Sequence, residues 1–223
     1  MHKKFFLLSL LLVFARFLSA QDIKYFFKIL PASYTPDLNA AAKDSLLQGK
    51  DFYPASNTNT EAVAYTLVNL DTIKNNLGIE MSFTTGQAAE SLFELRSFKT
   101  KNGAVVVFSN LGSAHNQYRQ NTFIVFSYGK GDSLTVIKAP ELPSNVGIRD
   151  FVKPGTPDSM IKKYESYSSV IYDLGRYMDN ISLNVSDDFD MYNVDKRWLI
   201  GSSIEFIWTG DHFIRSKPIF RKF

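Results

Sequence analysis

Short apolar runs separated by tight-turn residues recur through this chain, and they restrict it to antiparallel sheet. Lys101-Asn102-Gly103 stands between the runs 92–98 and 104–108. Gly129-Lys130-Gly131-Asp132 joins 123–128 to 134–137, and Thr209-Gly210-Asp211 joins 204–208 to 212–214. Asn-Gly and Gly-Asp pairs supply the positive φ that hairpin turns use. Ile79, Met81 and Phe83 alternate with Glu80, Ser82 and Thr84; Ile181, Leu183 and Val185 alternate with Ser182, Asn184 and Ser186. Period-two alternation turns one set inward and the other toward water. The runs 104–108 and 123–128 are almost continuously apolar, which predicts central strands.

Two segments carry helix signals. At Thr35-Pro36-Asp37 a capping threonine precedes a proline suited to the first helical position and an acid suited to the positive helix end. Leu38, Ala41, Ala42 and Leu46 follow at helical spacing until Gly49. Thr156-Pro157-Asp158 repeats the signal before Ile161 and Tyr164. Helices starting near Thr35 and Thr156, added to hairpin strands, predict the α+β class with a mainly antiparallel sheet. Pro140, Pro143, Pro154 and Pro157 fall between residues 139 and 157. That stretch reads as a crossover. The expected organisation is one α+β domain over 21–223, with 139–157 as the dividing line if it holds two subunits.

Residues 1–20 stand apart. His2, Lys3 and Lys4 follow the initiating Met, residues 5–14 are apolar but for Ser9, and Ser19-Ala20 precedes Gln21. That is the layout of a secretory signal peptide, with Leu18 bulkier than the cleavage pattern prefers. Arg16 interrupts the apolar run before it reaches the ~20 residues a membrane-spanning helix needs. No second long apolar run follows, so no transmembrane span is expected after signal cleavage. Lys3, Lys4 and Arg16 also account for the entire formal charge of +3. The remainder is balanced, which argues against a nucleic-acid partner. Only the tail is one-sided, with Arg215, Lys217, Arg221 and Lys222 and no acid after Asp211. It reads as a solvated end that frays. The chain has no cysteine, so it has no disulfide and no thiol chemistry. Export without cysteine fits a bacterial envelope, periplasmic or secreted.

Reaction centres are hard to find. His115 and His212 are the only histidines beyond the leader, too few for a three-histidine zinc site. No nucleophile elbow or phosphate-cradling glycine loop occurs, and no motif asks for a cofactor. Asp187, Asp188 and Asp190 form the densest run of candidate metal ligands, with Asp195 following. It lacks the loop glycine and terminal glutamate of a helix-loop-helix calcium site. Aromatic residues make up 14% of the chain. Tyr164, Tyr167, Tyr172 and Tyr177 cluster with Arg176, a candidate binding surface, since aromatic side chains dominate contact energetics.

The leader is followed by a Leu-x-x-Ala-containing helix and Lys50-Asp51-Phe52-Tyr53, and the chain ends in Ile204-x-Phe206-x-Trp208-x-Gly210-x-x-Phe213. In this layout the chain resembles small exported α+β proteins of unknown function from Gram-negative anaerobes of gut and mouth. The resemblance implies an envelope location, a helix-and-sheet fold and no enzymatic activity. The expected function is therefore an exported binding or interaction module of the envelope, with a protein, peptide or glycan as partner. The alternative is a hydrolase with dispersed residues, using His115 or His212 beside a carboxylate.

Overall fold

The computed structural model describes residues 22–54, 63–84, 91–114, 117–129, 131–138, 142–143, 146–175, 180–187 and 194–220. Three α-helices and ten strands are found among them: α1 (Ile23–Ile29), α2 (Ala40–Leu47), β1 (Val63–Asp71), β2 (Asn76–Phe83), β3 (Ser91–Thr100), β4 (Gly103–Ala114), β5 (Gln117–Tyr128), β6 (Leu134–Val136), α3 (Asp158–Tyr167), β7 (Ser168–Asp173), β8 (Ile181–Asp187), β9 (Ser203–Trp208) and β10 (Phe213–Arg215). β1 to β6 form one antiparallel sheet in sequence order, and β7 to β10 form a second. This is the α+β architecture expected from the hairpin turns. The chain passes from one sheet to the other through the proline-rich stretch. No helix among the described residues is long and apolar enough to cross a membrane.

All three predicted turns join the strands they were expected to join, and β4 and β5 lie inside their sheet. Gly103 holds the positive φ anticipated, at 157°. Neither Lys101 nor Asn102 does. A Cβ at Gly103 would also collide with the backbone carbonyl of Tyr128 on the facing strand. Gly210 likewise holds a positive φ, of 97°.

The first helix differs from its prediction. Thr35-Pro36-Asp37 is a turn, closed by the Leu38 amide donating to the Thr35 carbonyl at 3.0 Å. α2 begins only at Ala40, where the Asn39 side chain accepts from the Ala42 amide at 2.9 Å. Proline's fixed φ suits the second position of a turn as well as the first turn of a helix, so the triplet alone could not separate the two. At the second triplet the expectation holds: α3 starts at Asp158, directly after Pro157. Thr156 does not cap it, because its hydroxyl donates to the Lys153 carbonyl.

Two packed cores lie on opposite faces of the six-stranded sheet. On one face α1 presents Ile23, Phe26, Phe27 and Leu30, and α2 presents Ala42 and Leu46, against Leu77, Ile79, Leu95, Val106 and Phe126. Lys43 joins the helices. Its ammonium is buried over the Phe27 ring and donates to the Leu30 carbonyl at 2.8 Å. On the other face Phe98, Val107 and Val125 share a core with Leu183, Ile204, Phe206 and Phe213 of the second sheet and with Ile161 and Tyr164 of α3. Arg96 ties the sheets together. Its guanidinium donates to the carbonyls of Leu174 at 2.6 Å and Asn180 at 3.3 Å, and it lies 4.9 Å from the Phe98 ring.

Two further expectations are revised. The polar set of the 181–186 alternation is not water-facing throughout, since Ser182 is buried and accepts from the Asn184 amide group. The basic tail does not fray over its described length. The amides of Ser202 and Ser203 both donate to the Ile219 carbonyl, and the Ile219 amide donates back to Ser203. Arg215 pairs with Asp150 at 2.6 Å.

Candidate functional site

The two helices do not cover the whole of their sheet face. Beyond them, the 30–39 connector arches over the strands and roofs a half-open cavity of about 360 Å³. Strand register dictates its floor. Tyr65 on β1 stands opposite Met81 on β2, which stands opposite Ser91 on β3. Two residues along, Phe93 stands opposite Asn110 on β4, which stands opposite Thr122 on β5. Directly paired residues share a face, so each row lines the same side. Phe108, two residues before Asn110, completes the floor, and residues 33–37 form the opposing wall.

Aromatic rings dominate the interior. Tyr65, Phe93 and Phe108 follow one another at centroid separations of 6.2 and 6.3 Å, tilted by only 33° and 30°. Tyr34 from the connector closes on Phe108 at 5.7 Å and on Phe126 at 5.4 Å. The connector is anchored at its mouth, where the Tyr65 hydroxyl donates to Asp37 Oδ2 at 2.7 Å. Burial, followed by the bond to Asp37 and its charge, pushes the Tyr65 phenol well above its ordinary value. The phenol is therefore the donor and the carboxylate the acceptor.

Two polar atoms are left over. Thr35 is 2% exposed, and its hydroxyl has no partner among the described residues. The Asn110 side-chain oxygen is likewise buried without a partner. Such atoms are costly to leave unpaired; both belong to residues that line the cavity, but the atoms themselves are shut off from solvent and face the packed side. None of the described lining residues is Lys, Arg or His; Asp37, exposed at the rim, is the one ionisable acid.

The sequence pointed elsewhere. Tyr164 is wholly buried, with its hydroxyl donating to the Asp195 carbonyl at 2.5 Å. Tyr172 is buried too, stacked on Phe123 at 3.7 Å and donating to the Pro143 carbonyl at 2.9 Å. Both belong to the core between the sheets rather than to a surface, and only Tyr167 of the described tyrosines in that segment is half-buried. Tyr177 and Arg176 lie outside the described residues. So do Asp188 and Asp190, and of Asp187 only its backbone place at the end of β8 is described. Asp195 is engaged by Arg197 at 2.7 Å, which holds its carboxyl below the usual range. Among the described residues no three His, Asp or Glu side chains group as metal ligands would. His212 is exposed on the β9–β10 turn, 3.8 Å from the still more exposed Asp211, and it is not among the residues that line the cavity under the 33–37 segment. His115 lies outside the described residues.

The cavity residues were missed for a physical reason. They are scattered from residue 33 to residue 122 and meet only through strand register. The usable signal was the parity of Tyr65, Phe93 and Phe108, each an aromatic at an inward position of a strand with small polar residues nearby.

No family model matches this sequence, and no curated protein matches it. Among solved structures the chain is similar to a domain of an uncharacterised protein from Porphyromonas gingivalis W83, at a TM-score of 0.55 and 13% identity. The match covers 88% of this chain and 98% of that domain. At this identity the likeness concerns the fold alone. It is in keeping with the resemblance to proteins of unknown function from Gram-negative anaerobes.

Proposed function

We propose that this protein is an exported binding module of a bacterial envelope, and that its ligand site is the cavity between the 33–37 segment and the six-stranded sheet. One observation carries the reading. A concave, half-open space of about 360 Å³ lies between the 33–37 segment and a floor of aromatic and small polar side chains from five strands. Ligand sites are mostly apolar hollows of ~300–1,000 Å³ with a few polar groups that fix orientation, and this one has that composition. A peptide or glycan end of modest size fits it. Export is supported by the charge and apolar layout of residues 1–20 and by the capped start of α1 at Asp22, just after the expected cut.

Two measurements test this. Thermal-shift screening of the purified protein against small saccharides and short peptides is expected to find a stabilising ligand. Ser91→Trp, which fills the cavity from the floor, is expected to abolish the shift. A shift that survives Ser91→Trp places the ligand elsewhere and overturns the site. Mass spectrometry of the protein recovered from its host is expected to give Gln21 as the N-terminus; an intact Met1 would contradict export by cleavage.

A further inference from the structure

We infer that the mature N-terminus of this protein is a pyroglutamyl residue, formed when Gln21 closes on itself after the leader is removed; the inference rests on the export reading above. Ser19-Ala20 sets the expected cut directly before a glutamine. A cut one residue earlier would expose Ala20, and one residue later Asp22. Neither side chain carries an amide. Of the three, Gln21 alone holds an α-amine and a carboxamide at the spacing that closes a five-membered ring.

The step balances without a co-reactant. The α-nitrogen of Gln21 attacks its own side-chain Cδ, and the Cδ–Nε2 bond breaks. Ammonia leaves, carrying a proton given up by the amine. A lactam replaces the amine and the carboxamide; nothing is oxidised or reduced. An α-amine ordinarily loses its proton near pH ~8, so part of the population is already the nucleophile at neutral pH. Once closed, the terminus has neither a charge nor a free amine.

The fold gives this change a consequence. Ile23 opens α1 and is wholly buried. Asp22 caps the helix, its Oδ1 accepting from the Lys24 amide at 3.2 Å. A mature chain therefore has Gln21 and Asp22 ahead of its first buried residue, and a peptidase working inward from the end meets these two first. Such enzymes require a free α-amine, which the lactam withholds. Without the ring, removal of Gln21 and then Asp22 strips the cap from a helix that packs Ile23, Phe26 and Phe27 on the six-stranded sheet. Cyclisation also takes a positive charge away from the head of α1, where a cation is unfavourable.

The test is intact-mass and terminal-peptide spectrometry of the full chain recovered from its host, beside a Gln21→Asn variant. An amine-reactive label applied at lysis traps any free terminus before it can cyclise during handling. Asparagine keeps the amide but would have to close a strained four-membered ring. The wild-type chain is expected to start at residue 21, mainly lighter than its encoded mass by about 17 Da, the mass of ammonia. It is expected to be unlabelled at its terminus and resistant to an aminopeptidase. The variant is expected at full encoded mass, labelled at residue 21 and trimmed by the same enzyme. Trimming through Asp22 is expected to lower its Tm by about 2–4 °C. A wild-type chain that starts at Gln21 but is found mainly at full mass with a labelled amine would overturn the inference and leave the export reading standing. A chain that starts at Ala20 or Asp22 would do the same. An intact Met1 would overturn the export reading and the inference with it.

Discussion

The hydroxyl of Tyr65 on β1 donates to the carboxylate of Asp37, 28 residues earlier, at 2.7 Å. This bond pins the α2 end of the α1–α2 connector to the sheet at the rim of the cavity. Tyr65→Phe keeps the ring against Phe93 and Phe52 and removes only the donor. A hydrogen bond to a charged acceptor contributes about 1.5–3 kcal/mol, less where the acceptor is solvated as Asp37 is. A loss of about 1–2 kcal/mol in urea unfolding is expected, with a Tm lower by ~2–4 °C for each kcal/mol at this chain length. No measurable loss would mean that the connector is held by its aromatic contacts alone.

Arg96 is the second long-range tie, and its buried guanidinium serves two carbonyls that flank the β7–β8 connection of the other sheet. Arg96→Met keeps the apolar stem and leaves the Leu174 and Asn180 carbonyls without their donor. A cost of about 2–4 kcal/mol is expected from unpaired buried carbonyls. Arg96→Lys is expected to recover less than half of it, because both bonds come from the terminal Nη1 and the shorter lysine stem does not carry its ammonium that far. Full recovery with lysine would show that charge rather than geometry makes the tie.

Alkaline pH tests the buried tyrosines together. Burial raises the phenols of Tyr65, Tyr128, Tyr164 and Tyr172, the last to about 12. A raised folded pKa means that the native state keeps its proton where the unfolded chain has lost it. This contribution is whole below pH ~10 and is lost as pH climbs through the folded values. Lys43 works in the opposite direction, since burial lowers its ammonium. It regains stability with rising pH below the ordinary lysine value, and four phenols outweigh one amine. Unfolding free energy is therefore expected to fall above pH 10, with part of the tyrosine absorbance change appearing only on unfolding. A full tyrosine titration in the folded protein would contradict this burial pattern.

The tail offers a local test. A Cβ at Gly201 would lie 2.6 Å from the Ile219 nitrogen and 2.7 Å from the Pro218 carbonyl carbon, both backbone atoms that cannot swing aside. Gly201→Val is expected to lift residues 216–220 off β9, at a cost of about 2 kcal/mol, and to expose the Ser202 and Ser203 amides to hydrogen exchange. Unchanged protection of both amides would show that the tail can shift without leaving.

The strands were legible because turn residues and period-two patterning are local signals. The hairpins at 101–103, 129–132 and 209–211 were readable from a few residues each. α1 was not among the expected helices, although Ile23, Phe26, Phe27 and Leu30 keep helical spacing behind the Asp22 cap; it sits against the leader, whose apolar run masks the change of pattern. The tyrosine segment misled for a different reason. Tyr164 lies on α3 and Tyr172 on β7, with the change from helix to strand at Ser168, so nearness in sequence did not give them a common exposed face. The cavity was out of reach because it depends on register across five strands and on a Thr-Pro-Asp triplet that could equally open a helix.

The most direct measurement is a titration of the ¹⁵N-labelled protein with the small saccharides and short peptides of the thermal-shift screen, followed amide by amide. Shifts concentrated at Thr35, Asp37, Tyr65, Phe93, Asn110 and Thr122 are the predicted result. Shifts confined to the exposed Ile207 and Ile214 face of the second sheet, or no shifts with any probe at saturation, would contradict the assignment of this cavity as the binding site.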